Sequence, residues 1–304
     1  MLISVWLKII RIKFLLASVI GITNGILYSY LTYNSFNVFD ALLTYIGVIF
    51  LHASVDILND YWDYKRGIDT ITKRTPFSGG TGVLPDKKLN PSSVYKAGIF
   101  CLLIGMIIGI YFVLQSGILV AIILSIAVIS IYFYSTTVVN IGLGETLVAV
   151  KGTMIVVGSA YVQSGIIDNS VTFLGIIIGL LSSIILFIAS LPDYVADKSK
   201  GRRTLIIIVG KDRVTKIYTL LIGSIYCLLA IGILIGYLPF YSIITFTSIP
   251  FAIKSIKMLF KDYENIEYVI EAVSNTIKFS RVIGFGIIIS YSFEILIKLF
   301  LSNR

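Results

Sequence analysis

Two short stretches of this chain concentrate side-chain oxygens in patterns that would suit a divalent cation and a phosphorylated ligand. The first holds Asn59, Asp60 and Asp63, then Lys65, Arg66 and Asp69. The second holds Asp193 and Asp197, then Lys198, Lys200, Arg202 and Arg203. In each, two oxygen-bearing side chains lie four residues apart, which sets them on one face of a helix. Asp60 stands about 100° round from Asn59, and Asp69 follows Gly67, where the helix is expected to stop. Magnesium prefers oxygen ligands, keeps several waters, and is typically held by one or two carboxylates plus substrate phosphate. Two facing pairs would hold one or two such ions across a diphosphate and make it a better leaving group. The neighbouring Lys and Arg would stabilise the charge that grows as the carbon–oxygen bond breaks. Asn59, Asp63, Asp193 and Asp197 are therefore the candidate catalytic residues. Asn59, Asp60, Asp63, Asp69, Asp193 and Asp197 are the candidate magnesium ligands.

The elements that must position them are membrane spans. The 304 residues are 57% hydrophobic and only 13% charged, about half the charge of a typical soluble domain, with a mean hydropathy of +0.95. Continuous apolar runs, rather than alternation of period two, argue for helices over barrel strands. Nine spans are expected, at 14–33, 38–58, 94–114, 117–135, 143–162, 171–191, 217–237, 240–256 and 282–301. The fold class is thus all-α, a multi-pass cell-membrane protein forming one domain over residues 1–304. With a cytoplasmic N-terminus, 22 of the 25 Lys and Arg fall in cytoplasmic segments, a strong positive-inside bias. Nine spans then put the C-terminus outside and both acidic clusters on the cytoplasmic face, in loops at about 59–93 and 192–216. The clusters follow spans two and six. That spacing suggests two four-helix halves plus one helix around a central cavity, with the clusters face to face.

The net charge of +9 reflects this loop bias rather than a nucleic-acid partner. Cys101, Cys227 and the single histidine, His52, form no ligand cluster for zinc or haem. The apolar run after Met1–Lys13 is as long as a span and lacks a small-residue cleavage site, so no cleavable signal is expected. Lys151 falls inside a span, where a charge is costly and usually faces a cavity. Tyr134, with Tyr132 and Ser135, closes span four and could meet diphosphate or flank a carbocation. Arg11, Lys151, Lys198, Arg202 and Tyr134 are the candidate diphosphate-binding residues. Asp56 and His52 extend the Asn59/Asp63 face one and two turns back. Ser78-Gly79-Gly80-Thr81-Gly82 could cradle a phosphate or form a lid loop. Glu264, Glu267 and Glu271 read as a solvated helix face.

The stretches NDYWDYKRGID and DYVADKSKGRRTL resemble the two aspartate-rich motifs of the UbiA superfamily of intramembrane prenyltransferases. The resemblance implies nine transmembrane helices, magnesium bound at both motifs, and transfer of a polyprenyl chain from its diphosphate to an acceptor, usually aromatic. Arg11 resembles the family's opening Arg-Pro segment, with Ile12 in place of proline. Asp69 lies ten residues after Asn59, and Gly67 occupies the usual position of the third acid. That shift resembles the branch acting on 1,4-dihydroxy-2-naphthoate in menaquinone biosynthesis. So do Gly142-Leu143-Gly144-Glu145, the 75–85 stretch, and Gly158 to Gly165. Lys151-Gly152-Thr153 departs from that branch, which often reads Phe-Gly-Pro. Other acceptors stay open: a glycerol-phosphate lipid, 4-hydroxybenzoate or haem. A secondary transporter is the alternative from another class, but it would place acids at the midplane of broken helices rather than beside Lys and Arg at one face.

Overall fold

The computed structural model describes residues 2–72 and 74–302, and among them every regular element is helical. An amphipathic helix, α1 (Leu2–Ile9), precedes α2 (Ile12–Tyr33) and α3 (Val38–Lys65). After a long connection come α4 (Pro91–Ser116), α5 (Ile118–Phe133), α6 (Gly144–Ser164) and α7 (Asn169–Ala189). Two short helices, α8 (Tyr194–Ser199) and α9 (Leu205–Val209), lead into α10 (Val214–Leu234). A 3₁₀ segment (Phe240–Ser248) runs into α11 (Ile249–Asp262), and α12 (Ile266–Ser302) closes the chain.

Side-chain caps mark where several helices begin. Asn37 accepts from the Asp40 amide at 3.1 Å to start α3, and Asp168 accepts from Val171 at 2.8 Å to start α7. Asn90 accepts from Ser92 at 2.9 Å ahead of α4, whose first residue is Pro91, a position where no amide hydrogen is needed. Each cap satisfies a donor that the helix itself leaves free.

Among the described residues, eight helical segments are long and apolar enough to cross a membrane: α2, α3, α4, α6, α7, the segment 211–234, the segment 240–262, and α12. The remaining expected span is α5, an apolar helix of 16 residues, about 24 Å long against a hydrocarbon core of about 30 Å. Two expected boundaries move. The span placed at 240–256 begins as a 3₁₀ helix and ends at Asp262. The span placed at 282–301 is the outer part of a 37-residue helix beginning at Ile266. Residues 266–281 therefore continue the last helix instead of forming a separate connection. Glu271 on that stretch pairs with Lys254 at 2.7 Å.

Helices α2 to α7 surround a cavity, and its lining residues all fall between Arg11 and Thr204. The last long helices, α10, α11 and α12, pack outside it, with α10 and α12 against α7 and α12 also against α2. The walls approach closely at glycine. A Cβ on Gly152 of α6 would come within 2.7 Å of the Gly179 Cα on α7. Small residues allow such backbone contact in lipid, where apolar side chains gain little by leaving the bilayer.

Candidate active site

The site forms where α3 leaves the bundle and meets the broken end of α7. Asn59 and Asp63 share one face of α3, with Asn59 Nδ2 donating to Asp63 Oδ2 at 3.0 Å. The Ser135 hydroxyl, just past α5, donates to Asn59 Oδ1 at 2.8 Å and so fixes the amide's orientation. Helix α3 ends at Lys65, and Gly67 turns the chain with φ of 70°. The turn carries Asp69 inward, where it is 3% exposed. Its Oδ2 has no hydrogen-bond partner.

The second cluster is built on a helix break. Pro192 lacks an amide hydrogen and cannot extend α7, so a new helix, α8, starts at Tyr194 with Asp193 at its N-terminus. The Asp197 amide donates to the Asp193 carbonyl at 2.8 Å. Gly201 at φ of 79° then folds Arg202 back. The guanidinium of Arg202 donates to Asp197 at 3.3 Å and to Asp63. One arginine thus ties the two acidic clusters together.

The glycine-rich loop closes the third side. Gly79 N–H donates to Asp193 Oδ2 at 3.0 Å. The amide and hydroxyl of Thr81 donate to Asp60 at 3.1 and 2.5 Å. Gly80, at φ of 69°, lies so close to Asp69 that a Cβ there would meet Oδ2 at 2.2 Å. This loop therefore holds both acidic clusters through its backbone.

Burial and like charge act on these carboxyls. Burial, reinforced by Asp63 and Asp60, pushes Asp69 up to about 8. Burial and Asp197 push Asp193 up to about 7. Burial raises Asp197 to about 6 against the opposing pull of Arg202. Burial also works against the charge of Arg202, but Asp63 and Asp197 outweigh it and hold the guanidinium above its ordinary range.

The candidate residues do not all point the same way. Asn59, Asp63, Asp69, Asp193, Asp197, Arg11, Lys151, Arg202 and Tyr134 all line the cavity. Asp60 is fully buried and engaged with Thr81 and with Arg11 at 3.1 Å, so it anchors the loop and the start of α2. Lys198 is exposed, with its ammonium 5.6 Å from the Tyr194 ring centroid, and lies outside the lining. Arg66 donates to the Thr136 carbonyl at 2.8 Å and to Asn140 at 3.2 Å, bracing the α5–α6 connection. Three ionisable lining residues had no assigned role in the sequence: His52, Asp56 and Glu145. The first two were legible as a continuation of the Asn59/Asp63 face. Glu145, 3% exposed, accepts from the Leu205 amide at 3.1 Å, a link no spacing pattern announces.

A hard cation suits this donor set. Asp69 Oδ2 and Asp193 Oδ1 are buried without partners, and carboxylates crowded against one another are what such an ion relieves. Among the described residues no three acidic, histidine or cysteine side chains close into a finished metal cage. Magnesium does not require one, because it uses one or two carboxylates together with waters and phosphate. The cavity as a whole has a volume of about 430 Å³, and away from the acids it is walled largely by Ile, Leu, Val, Phe and Gly, as a hydrocarbon chain requires.

A polar mouth of paired acids above an apolar chamber inside a multi-span helical bundle defines an enzyme class that handles charged lipids. The UbiA prenyltransferase family model matches residues 14–267, and the chain belongs to that family: it is a prenyltransferase. It is 22% identical over 262 residues to the 1,4-dihydroxy-2-naphthoate octaprenyltransferase of Bacillus subtilis, covering 82% of this chain and 83% of that protein. It is 25% identical over 277 residues to the 2-carboxy-1,4-naphthoquinone phytyltransferase of Synechocystis, covering 88% and 86%. Among solved structures, the apo UbiA homolog from Aeropyrum pernix superposes with a TM-score of 0.67 at 16% identity, covering 90% and 97%. A UbiA homolog from Archaeoglobus fulgidus bound to GPP and Mg2+ gives 0.64 at 14% identity, covering 93% and 99%. The fold is therefore shared at low sequence identity.

Proposed function

We propose that this enzyme transfers a polyprenyl chain from its diphosphate to 1,4-dihydroxy-2-naphthoate or a similar aromatic quinone precursor, with magnesium as cofactor. The observation that carries the reading is the meeting of Asp63 and Asp197 on Arg202 at the polar mouth of an apolar cavity. Asn59, Asp63, Asp69, Asp193 and Asp197 would hold magnesium. When bound, the ion neutralises the diphosphate and makes it a better leaving group.

The chain's own residues do the rest. Arg202 and Arg11 meet diphosphate oxygens and stabilise the charge left as the allylic carbon–oxygen bond breaks. The Tyr134 ring flanks the allylic cation through its electron-rich face. An electron-rich acceptor carbon forms the new carbon–carbon bond. If that carbon bears the carboxylate it then releases carbon dioxide, and if it bears hydrogen it releases a proton. The apolar walls exclude water, which would otherwise capture the cation. The naphthoate acceptor is supported by the names of the Bacillus subtilis and Synechocystis relatives. The basic loops support a cytoplasmic N-terminus and a cytoplasmic active-site mouth, with the whole of 1–304 acting as one domain.

Purified protein incubated with a prenyl diphosphate, 1,4-dihydroxy-2-naphthoate and magnesium should yield the prenylated, decarboxylated product by mass spectrometry, and EDTA should abolish it. Folded protein that transfers to no aromatic quinone precursor, or only to a glycerol-phosphate lipid or haem, would sink the proposal.

A further inference from the structure

The diphosphate chemistry leaves one charged pair of the cavity unused. Lys151 projects from α6 into the chamber, its Nζ 5.0 Å from the Tyr134 ring centroid. It makes no ion pair among the described residues, and Asp56 on α3 lines the same chamber. Asp56 has its own deficit, because its Oδ2 is buried without a hydrogen-bond partner. His52 Nε2 stands 3.8 Å from that oxygen, and His52 Nδ1 is held by the Ser18 hydroxyl at 2.7 Å. An ammonium and a carboxylate thus face one apolar chamber from two helices, each short of a partner. A charge within the membrane usually has a partner or serves a ligand.

Their depth separates them from the diphosphate end. Asp56 precedes Asp63 by two turns of α3, roughly 10 Å along the axis. Lys151 lies a similar distance into α6 from its first residue, Gly144. Tyr134 stands between the two ends. Its neighbour Ser135 bonds Asn59 at 2.8 Å, and its own ring lies under Lys151. A flat ring held at Lys151 and Asp56 would therefore lie on the chamber side of the allylic carbon, where the acceptor must attack.

Resting on the prenyltransferase reading above, we infer that Lys151 and Asp56 form the acceptor-recognition site, and that they select an aromatic ring bearing both an acidic group and a hydroxyl. The acceptor's carboxylate meets the Lys151 ammonium, and its hydroxyl donates to the free Oδ2 of Asp56. A neutral naphthol would satisfy Asp56 but leave the ammonium desolvated and unpaired. Sites built around buried polar groups reject ligands that leave those groups unmatched. Lys151 is then a specificity-determining residue for the acceptor rather than a diphosphate ligand.

Equilibrium binding of 1-hydroxy-2-naphthoate and 1-naphthol to the full chain in detergent, without magnesium or prenyl diphosphate, tests this. Wild type should favour the acid by roughly 10- to 100-fold, the range of a charge-assisted hydrogen bond. Lys151→Met should erase that preference while leaving magnesium-dependent binding of geranyl diphosphate unchanged. Lys151→Arg should keep most of it. Thermal unfolding will identify a collapsed Met variant, in which case Lys151→Gln carries the same expectation. An acid preference that survives in the neutral variant overturns the inference, as does a loss of geranyl diphosphate binding in its place. Prenyl transfer by wild type is scored separately. Failure there defeats the enzymatic reading and leaves the binding preference to stand or fall by itself.

Discussion

The bundle has two regions that treat buried polarity in opposite ways. Outside the cavity, among α10, α11, α12 and the 3₁₀ segment, several buried hydroxyls close on one another. Tyr218 bonds Ser255 and, at 2.5 Å, Thr276. Ser255 also donates to the Ala272 carbonyl at 2.9 Å, and Ser242 donates to Ser290 at 3.0 Å. Around the cavity the reverse holds. Asp56, Asp69, Glu145, Asp193 and Arg202 each bury an atom without a partner. Among the described residues, every charged side chain with such an orphan lines the cavity, whereas the orphans elsewhere belong to neutral groups of Asn24, Thr215, Ser280 and Tyr291. The lesson is a division of labour. Satisfied networks hold helices together in a medium that supplies no water. Unsatisfied charge is retained where a ligand completes it.

The largest test of this contrast is removal of a motif carboxylate. Asp63→Ala or Asp197→Ala should lower kcat roughly 100- to 1,000-fold, the cost of deleting one group that stabilises transition-state charge. The fold should persist, since neither side chain belongs to the hydroxyl network of α10 to α12. Activity assays beside thermal unfolding in detergent check both halves. A variant that keeps full activity would remove its residue from the site.

Next in size is the loop that joins the clusters. Gly80→Ala asks a residue at φ of 69° to carry a Cβ into Asp69, 2.2 Å away. Asp69 or the loop must move, and displacement of a positioned group by about 1 Å costs up to roughly 100-fold in rate. We expect a fall of about 10- to 100-fold in kcat, with little change for Gly117→Ala, which has no neighbour within 4 Å. Equal effects at the two glycines would reduce the Gly80 result to generic backbone strain.

These residues also show what sequence could and could not reveal. The acid pairs at Asn59/Asp63 and Asp193/Asp197 were legible because helical periodicity puts i and i+4 together. Eight segments long enough to span were legible because hydropathy is local. The destination of Asp60 was not legible. Its spacing says only that it points about 100° away from Asn59, and the Thr81 that captures it lies across a loop with no periodic pattern. Likewise nothing local tells that α2 to α7 enclose the chamber while α12 runs 37 residues outside it. Both follow from tertiary packing at contacts such as Gly152 on Gly179. Lys151 was legible as a costly charge, but nothing in its spacing tells that Asp56 of α3 lines the same chamber.

In the satisfied region the effect should shift from rate to stability. Tyr218→Phe strips a fully buried hydroxyl from Ser255 and Thr276. Such a loss costs about 1–3 kcal/mol, visible as a lower unfolding temperature. Turnover per folded enzyme should stay at the wild-type level. A fall in turnover without loss of stability would mean that α10 to α12 reach the chemistry after all.

The smallest effect is expected at the far end of the bundle, where Asp168 accepts hydrogen bonds from Tyr28 and Tyr33 and caps α7 through Val171 at 2.8 Å. Burial would raise this carboxyl, but hydrogen bonds from the two tyrosine hydroxyls and from the Val171 and Ser170 amides outweigh it, and Asp168 sits below its ordinary range. A group depressed in the native state stabilises above its unfolded value, about 4, and loses that contribution as pH falls through the lower native value. Asp168→Asn keeps the cap, since Asn and Asp cap about equally well, but removes the titration. Its unfolding temperature should run slightly below wild type at neutral pH and converge with it as the pH is lowered below 4. Prenyl transfer should be unchanged, because Asp168 lies outside the cavity lining. Parallel pH curves for the two proteins would mean that Asp168 titrates alike folded and unfolded, and that its tyrosine bonds contribute nothing through charge.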